Sequence, residues 1–220
     1  MYRKFEFSEN EFYHLYNRGN DKRTVFLDDN DRKRFIKLLF LANNNNPINL
    51  RDIPLGRSFV EMERGQTIVD IGAYCLMPNH FHLLVCEKKE GGISNFMKKL
   101  CTSHSMYFNM KYGRTGSLFE GVFKAEHAEK DEYLEYLFAY IHLNPIKLIE
   151  PEWYEKGLSD TDKAKKFLEN YRYSSYPDYI GESRPETAIL NKNAFSGYFE
   201  NQKEFKDYIN DWLNYQKVNT

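Results

Sequence analysis

The sequence predicts an α+β fold. It is a ferredoxin-like split βαβ sandwich, an antiparallel sheet with helices on one face, plus an additional helix and a helical C-terminal extension. Three observations carry this. Two-residue and 3.6-residue hydrophobic periods alternate in the order strand, helix, strand, strand, helix, strand, helix. Turn clusters of Gly, Asn, Asp or Pro separate them. The chain has 220 residues, 41% hydrophobic and 16% aromatic, enough to bury a sizeable core.

The segment 11–18 (EFYHLYNR) is aromatic-rich and reads as a strand, broken by Gly19-Asn20-Asp21. A helix follows over 28–43, with Phe35, Ile36, Leu38, Leu39 and Leu41 at helical spacing and Asp28 and Asp29 at its start. The stretch 43–66 opens on four asparagines and contains two prolines and two glycines, so a loop insertion with partial order is expected. Strands over 67–76 and 80–86 flank the turn Met77-Pro78-Asn79 and predict a hairpin. Ser94 can cap a helix running to about Tyr112, and 117–127 looks extended. Asp131 opens a further helix that Pro145 ends. Helix signals at 162–170 and 200–216 complete the tail. The expected division is a main domain over 1–150 and a helical extension over 151–220.

Composition limits the function classes. The N-terminus, Met-Tyr-Arg-Lys-Phe-Glu, lacks the apolar core of a signal peptide. No run of about 18 apolar residues exists, so no membrane association is expected. Three cysteines without a CxxC pair suit a reduced, cytoplasmic protein. The net charge of −1 argues against nucleic acid on average, but it conceals a basic stretch. Lys98, Lys99, Lys111, Arg114 and Lys124 face one acid, Glu120, between 96 and 124.

Two segments carry candidate chemistry. In the strand at 80–86, His80 and His82 are two apart and point to one face, while Phe81, Leu83 and Val85 point to the other. Two imidazoles side by side on a strand form half of a divalent-cation site, or simply a pair of half-exposed sheet histidines. In the helix DEYLEYLFAYIHLNP, Tyr140 and Asn144 share a face. An amide oxygen can bind a hard cation, and a phenol can attack phosphorus to form a covalent ester. The alternative for Tyr140 is a buried amphipathic aromatic. His142 lies about 200° around the helix from Tyr140, which suits packing or hydrogen bonding rather than ligation.

The segments YCLMPNHFHLLV and YIHLNPIK together resemble the single-tyrosine HUH transposases, an insertion-sequence transposase-like family, and within it the REP-associated tyrosine transposases. Supporting stretches are FYHLYNRGNDKRTVF, YFNMKYGRTGSLFEGVFKAEH and YRYSSYPDYIG, so the similarity spans roughly 10–181 apart from the insertion. The resemblance implies a metal-dependent nickase using Mg2+ or Mn2+ on single-stranded or hairpin DNA. His80 and His82 match its metal ligands, Asn144 the residue completing the metal site, and Tyr140 the nucleophile that forms a 5′-phosphotyrosine. It also implies either a homodimer or a monomer.

Lys98, Lys99, Lys111, Arg114 and Lys124 are the expected phosphate contacts, and Phe108, Tyr112 and Phe119 the expected stacking platforms. Two rivals remain. One is a catalytically silent hairpin-DNA-binding regulator, against which the complete His80, His82, Tyr140 and Asn144 set argues. The other is a zinc hydrolase, for which no carboxylate stands at the usual spacing. The insertion at 43–66, the tail after Gly181 and the near-neutral charge depart from the family pattern.

Overall fold

The structure, a computed structural model, describes residues 6–46, 58–62, 64–195, 197–199 and 201–215. Four strands form one antiparallel sheet: β1 (Phe12–Arg18), β2 (Val69–Met77), β3 (His80–Glu87) and β4 (Lys124–His127), in the spatial order β2-β3-β1-β4. Helices α1 (Asp29–Leu41) and α2 (Gly92–Lys111) make the split βαβ units. This is the fold class that the pattern predicts.

The α1 N-terminus is closed by a capping box. Asp28 accepts from Asp31 N, and the Asp31 carboxylate accepts from Asp28 N. Asp31 is fully buried and also accepts from Leu27 N, Tyr112 and Lys111. Burial would raise its carboxyl, but the Lys111 and Tyr112 hydrogen bonds outweigh it and hold it at about 2. The pair locks the start of α1 to the end of α2. The helix expected to be capped by Ser94 instead begins at Gly92. Glu87, at the end of β3, accepts from Ile93 N and takes the capping role.

One face of the sheet carries Leu15, Phe81, Leu83 and Val85 against Phe35, Leu38 and Leu39 of α1 and Phe96, Leu100 and Phe108 of α2. The other face is covered too. Ala73, Cys75, Met77, Leu84 and Cys86 meet α3 (Asp131–Leu143) and the helices after it: α4 (Trp153–Lys156), α5 (Thr161–Asn170), α6 (Tyr176–Tyr179) and α7 (Gln202–Tyr215). A bulge at Gly72 makes this double burial work. Val69 and Ile71 face the first core, and beyond the register shift Tyr74 and Leu76 do so, leaving small Ala73 and Cys75 under α3. A Cβ at Gly72 would lie 2.7 Å from the Phe195 ring.

The expected insertion 43–66 lies partly outside the described residues, at 47–57 and 63. Its first residue is an anchor rather than loop: buried Asn43 accepts from Ile68 N and Val69 N and donates to Val69 O, fixing the start of β2. The extended reading of 117–127 shortens to β4, because 113–123 is a succession of turns that pairs only through an isolated Gly19–Phe119 bridge.

Candidate active site

Antiparallel pairing sets the site. Opposite residues share a face, so β1–β3 register aligns Arg18 with His80, Tyr16 with His82 and His14 with Leu84. On the far side, β4 places Lys124 opposite Tyr16 and Glu126 opposite His14. Three imidazoles, a phenol, a guanidinium, an ammonium and a carboxylate therefore occupy one end of one face. A cleft of about 230 Å³ opens there, lined by Tyr16, Arg18, His80, His82, Glu120, Lys124 and Tyr140. A larger cavity of about 900 Å³ beside α7 shares none of these residues. The smaller cleft is the candidate site, because the side chains able to do chemistry converge on it.

The histidine rings meet edge to face with centroids 4.9 Å apart. Nδ1 of His80 lies 2.6 Å from Asn79 Oδ1, which makes Nδ1 the donor and leaves Nε2 with its lone pair. Nδ1 of His82 lies 2.9 Å from Nε2 of His14. Burial, reinforced by nearby Lys147 and Arg18, depresses His80 to about 4. Burial first, then the neighbouring His14 and His80, holds His82 well below its ordinary value. Both imidazoles are neutral at pH 7, the form that ligates metals.

Helix α3 packs Leu134, Leu137, Phe138 and Ile141 onto the sheet and turns Tyr133, Tyr136 and Tyr140 along its flank. Their rings stack in sequence, 6.0 Å and then 5.8 Å between centroids. This puts the Tyr140 ring edge-on to His82 at 5.3 Å and to His14 at 5.8 Å. Burial raises the Tyr140 phenol, and the nearby Asn144 amide opposes that rise. Asn144 is 2% exposed, and neither amide atom has a hydrogen-bond partner. No cluster of three or more His, Cys, Asp or Glu placed to hold a metal occurs among the described residues. The donor set here is two neutral imidazoles and an unpaired amide oxygen, and it fits a divalent cation. His142 takes the structural role expected of it. It is fully buried, donates from Nδ1 to Phe138 O and accepts at Nε2 from Ser175 Oγ.

The expected DNA contacts separate. Lys124 lines the cleft. Lys99 is engaged with the carbonyls of Asn44 and Asn46, and Lys111 with Asp28 and Asp31. Lys98 borders a shallow groove with Thr102 and Val122, and Arg114 lies over the Phe108 ring. These four belong to α2 or the turn after it, away from the histidine pair. Phe108 and Phe119 are not stacking platforms: both are buried in the first core. Tyr112 donates its hydroxyl to Asp31.

Sequence reasoning missed His14, Tyr16, Arg18, Glu126 and Lys147. The alternation of β1 puts the first three on one face, a signal that acquires meaning only with the β1–β3 register. The Nζ of Lys147 sits 5.7 Å from the Tyr140 ring centroid, in the short turn 144–148 that follows α3.

Comparison with known proteins bears on the fold and the family. No curated protein matches the chain by sequence. A solved REP-associated tyrosine transposase bound to a REP hairpin has a similar fold, at 14% identity and a TM-score of 0.50, covering 84% of this chain and 89% of that one. The model of the IS200-like transposases matches residues 8–144, from just before β1 through Tyr140 to Asn144. That match takes in more than half the sequence and every residue of the candidate site but Lys147, so the chain belongs to the IS200-like transposase family.

Proposed function

We propose that this protein is a metal-dependent single-stranded DNA endonuclease and strand transferase, which cleaves and rejoins DNA beside a hairpin with Tyr140 as nucleophile. The observation that supports this best is the Tyr140 ring edge-on to His82, with the unpaired amide of Asn144 one helical turn further along. Residues 1–150 would carry the chemistry, and 151–220 would brace α3 from behind.

A bound Mg2+ or Mn2+, held by His80, His82 and Asn144, would supply Lewis acidity toward the scissile phosphate. The protein positions the remaining partners. Lys124 and Lys147 provide positive charge around the cleft for the phosphates on either side, while Arg18 is held by the Glu120 carboxylate at the cleft wall. Tyr140 Oη attacks phosphorus in line. The P–O3′ bond breaks, the phenol proton ends on the departing 3′ oxygen, and the DNA 5′-phosphate becomes an ester of Tyr140. Attack by another 3′-OH reverses the step and joins strands. The ester conserves the bond energy, so no nucleotide cofactor is needed. Partial burial of Tyr140 keeps bulk water from competing for the ester.

The test is incubation with single-stranded hairpin DNA from beside the gene, with Mg2+ or Mn2+, followed by a denaturing gel. A covalent protein–DNA band is expected, absent with chelator and absent in Tyr140→Phe. A band that persists in Tyr140→Phe removes the nucleophile assignment. Hairpin binding without any covalent band, across all flanking sequences, would favour a silent DNA-binding regulator.

A further inference from the structure

The site so described leaves the contact between His82 and His14 without a role. His14 is 4% exposed, and its ring meets that of His82 edge to edge and nearly coplanar, with centroids 5.0 Å apart and planes 23° apart. Its second nitrogen, Nδ1, is buried without a hydrogen-bond partner, and it stands 3.6 Å from Glu126 Oε2. That is beyond hydrogen-bond length but within electrostatic reach, one small rotation from a bond. Glu126 is itself pinned. Tyr16 donates to one carboxylate oxygen at 2.9 Å and Tyr133 to the other at 2.8 Å.

A hydrogen bond between two imidazoles needs one N–H and one lone pair. If Nε2 of His82 is to face a cation, Nδ1 must carry the hydrogen and donate to Nε2 of His14. His14 must then carry its own hydrogen on Nδ1, which is the nitrogen facing the Glu126 carboxylate. Each tautomer dictates the next, and the carboxylate stands at the end where the last N–H emerges. Ligating histidines generally need such a partner to set the ring and strengthen its lone pair. The sheet supplies the arrangement directly, since Glu126 is opposite His14 and His82 is its diagonal neighbour.

We propose that His14 and Glu126 are positioning residues, a carboxylate–imidazole relay that holds His82 in the Nδ1–H tautomer with Nε2 turned toward the cation. Glu126 has a second connection, because Tyr133 belongs to the helix that carries Tyr140. One carboxylate therefore registers the nucleophile helix against the metal-binding strand. This inference rests on the metal-site reading above, and its test separates the two.

Nitrogen-15 spectra of the imidazoles in the metal-free protein report the tautomer without any turnover. His82 is expected as Nδ1–H in the parent protein and as Nε2–H, the form ordinarily favoured, in His14→Phe, which keeps a flat ring at that position. Mn2+ affinity, followed by electron paramagnetic resonance, should fall about 10–100-fold in His14→Phe. His14→Gln, whose amide oxygen can take the place of Nε2, should recover part of that loss. Glu126→Ala should weaken Mn2+ binding in the same direction, and it probes the relay even if His14→Phe does not fold. A parent protein that binds no Mn2+ overturns the metal site and the relay with it. Mn2+ binding in the parent with unchanged affinity in folded Glu126→Ala and His14→Phe overturns the relay alone, as does His82 already in the Nε2–H form.

Discussion

Asn144 lies in the core beside Tyr140 and His80, close enough to influence both, and neither amide atom makes a hydrogen bond of ordinary geometry. An unpaired buried polar group costs roughly 1–3 kcal/mol. The fold keeps it, which is the expected signature of a residue retained for chemistry rather than stability. Asn144→Leu should therefore leave the melting temperature unchanged or raise it, while Mn2+ affinity and covalent DNA attachment are lost. Parallel thermal melts and Mn2+ titrations check this; a large drop in melting temperature would show that the amide has a structural partner after all. Lys147 makes a second prediction at this scale. If it contacts a phosphate, Lys147→Ala should reduce the slope of log affinity against log salt by about 0.7 for single-stranded DNA. Fluorescence anisotropy across a salt series measures the slope, and an unchanged value would remove Lys147 from the DNA path.

The segment 171–190 straps the outer side of β2 and so supports the site from behind. Tyr171 donates to Leu76 O, Tyr179 to Gly72 O, and Ser175 N to Tyr74 O. Its fastening is the buried pair Arg184–Asp178, with Arg184 also donating to the carbonyls of Arg172 and Ser174. Removing one partner of a buried pair leaves an uncompensated charge, at a cost of about 3–5 kcal/mol. Arg184→Met should destabilise by that order in urea melts, and adding Asp178→Leu should restore a good part of it. If the double variant is no better than the single one, the pair is not what closes the strap. On α3, Tyr136 touches both Tyr140 and Trp212 of α7, so the last helix packs against the tyrosine row as well.

For the molecule as a whole, buried neutral histidines set the acid limit. His104 is fully buried between α1 and α2, donating from Nε2 to Val25 O, and burial holds it at about 4. Its unfolded value is near 6.5. As pH falls from about 6.5 to 4, the unfolded chain takes up a proton that the folded chain refuses. Stability is then lost at up to about 1.4 kcal/mol per pH unit, and the loss ends once the folded imidazole protonates. Asp31 works in the same direction lower down: its stabilisation is complete above about 4 and is lost toward about 2. Melting temperature should fall steadily from pH 7 to pH 4. His104→Gln should show a shallower fall than the parent, and identical slopes would mean that other groups control the transition. No helix among the described residues is long and apolar enough to cross a membrane.

Much of this was legible in the chain. The order of elements, the convergence of His80 and His82, and the shared face of Tyr140 and Asn144 all follow from local periods of 2.0 and 3.6 residues, which any strand or helix imposes on its own side chains. What local period leaves open is which elements meet. His14 and His82 are 68 residues apart, and only the β1–β3 register puts their rings in contact. Covering the second face with α3 and the tail, turning Phe108 and Phe119 inward, and occupying Lys99 and Lys111 with α1 and its flanks were likewise decided by packing. Burial depends on the sum of contacts between distant segments, and no single segment encodes that sum. The sequence by itself determined the chemical halves of the candidate site, two imidazoles on a strand and a phenol with an amide on a helix. The tertiary structure decided their meeting, and it set His14 and Glu126 beside His82, because strand register is set by the whole core at once.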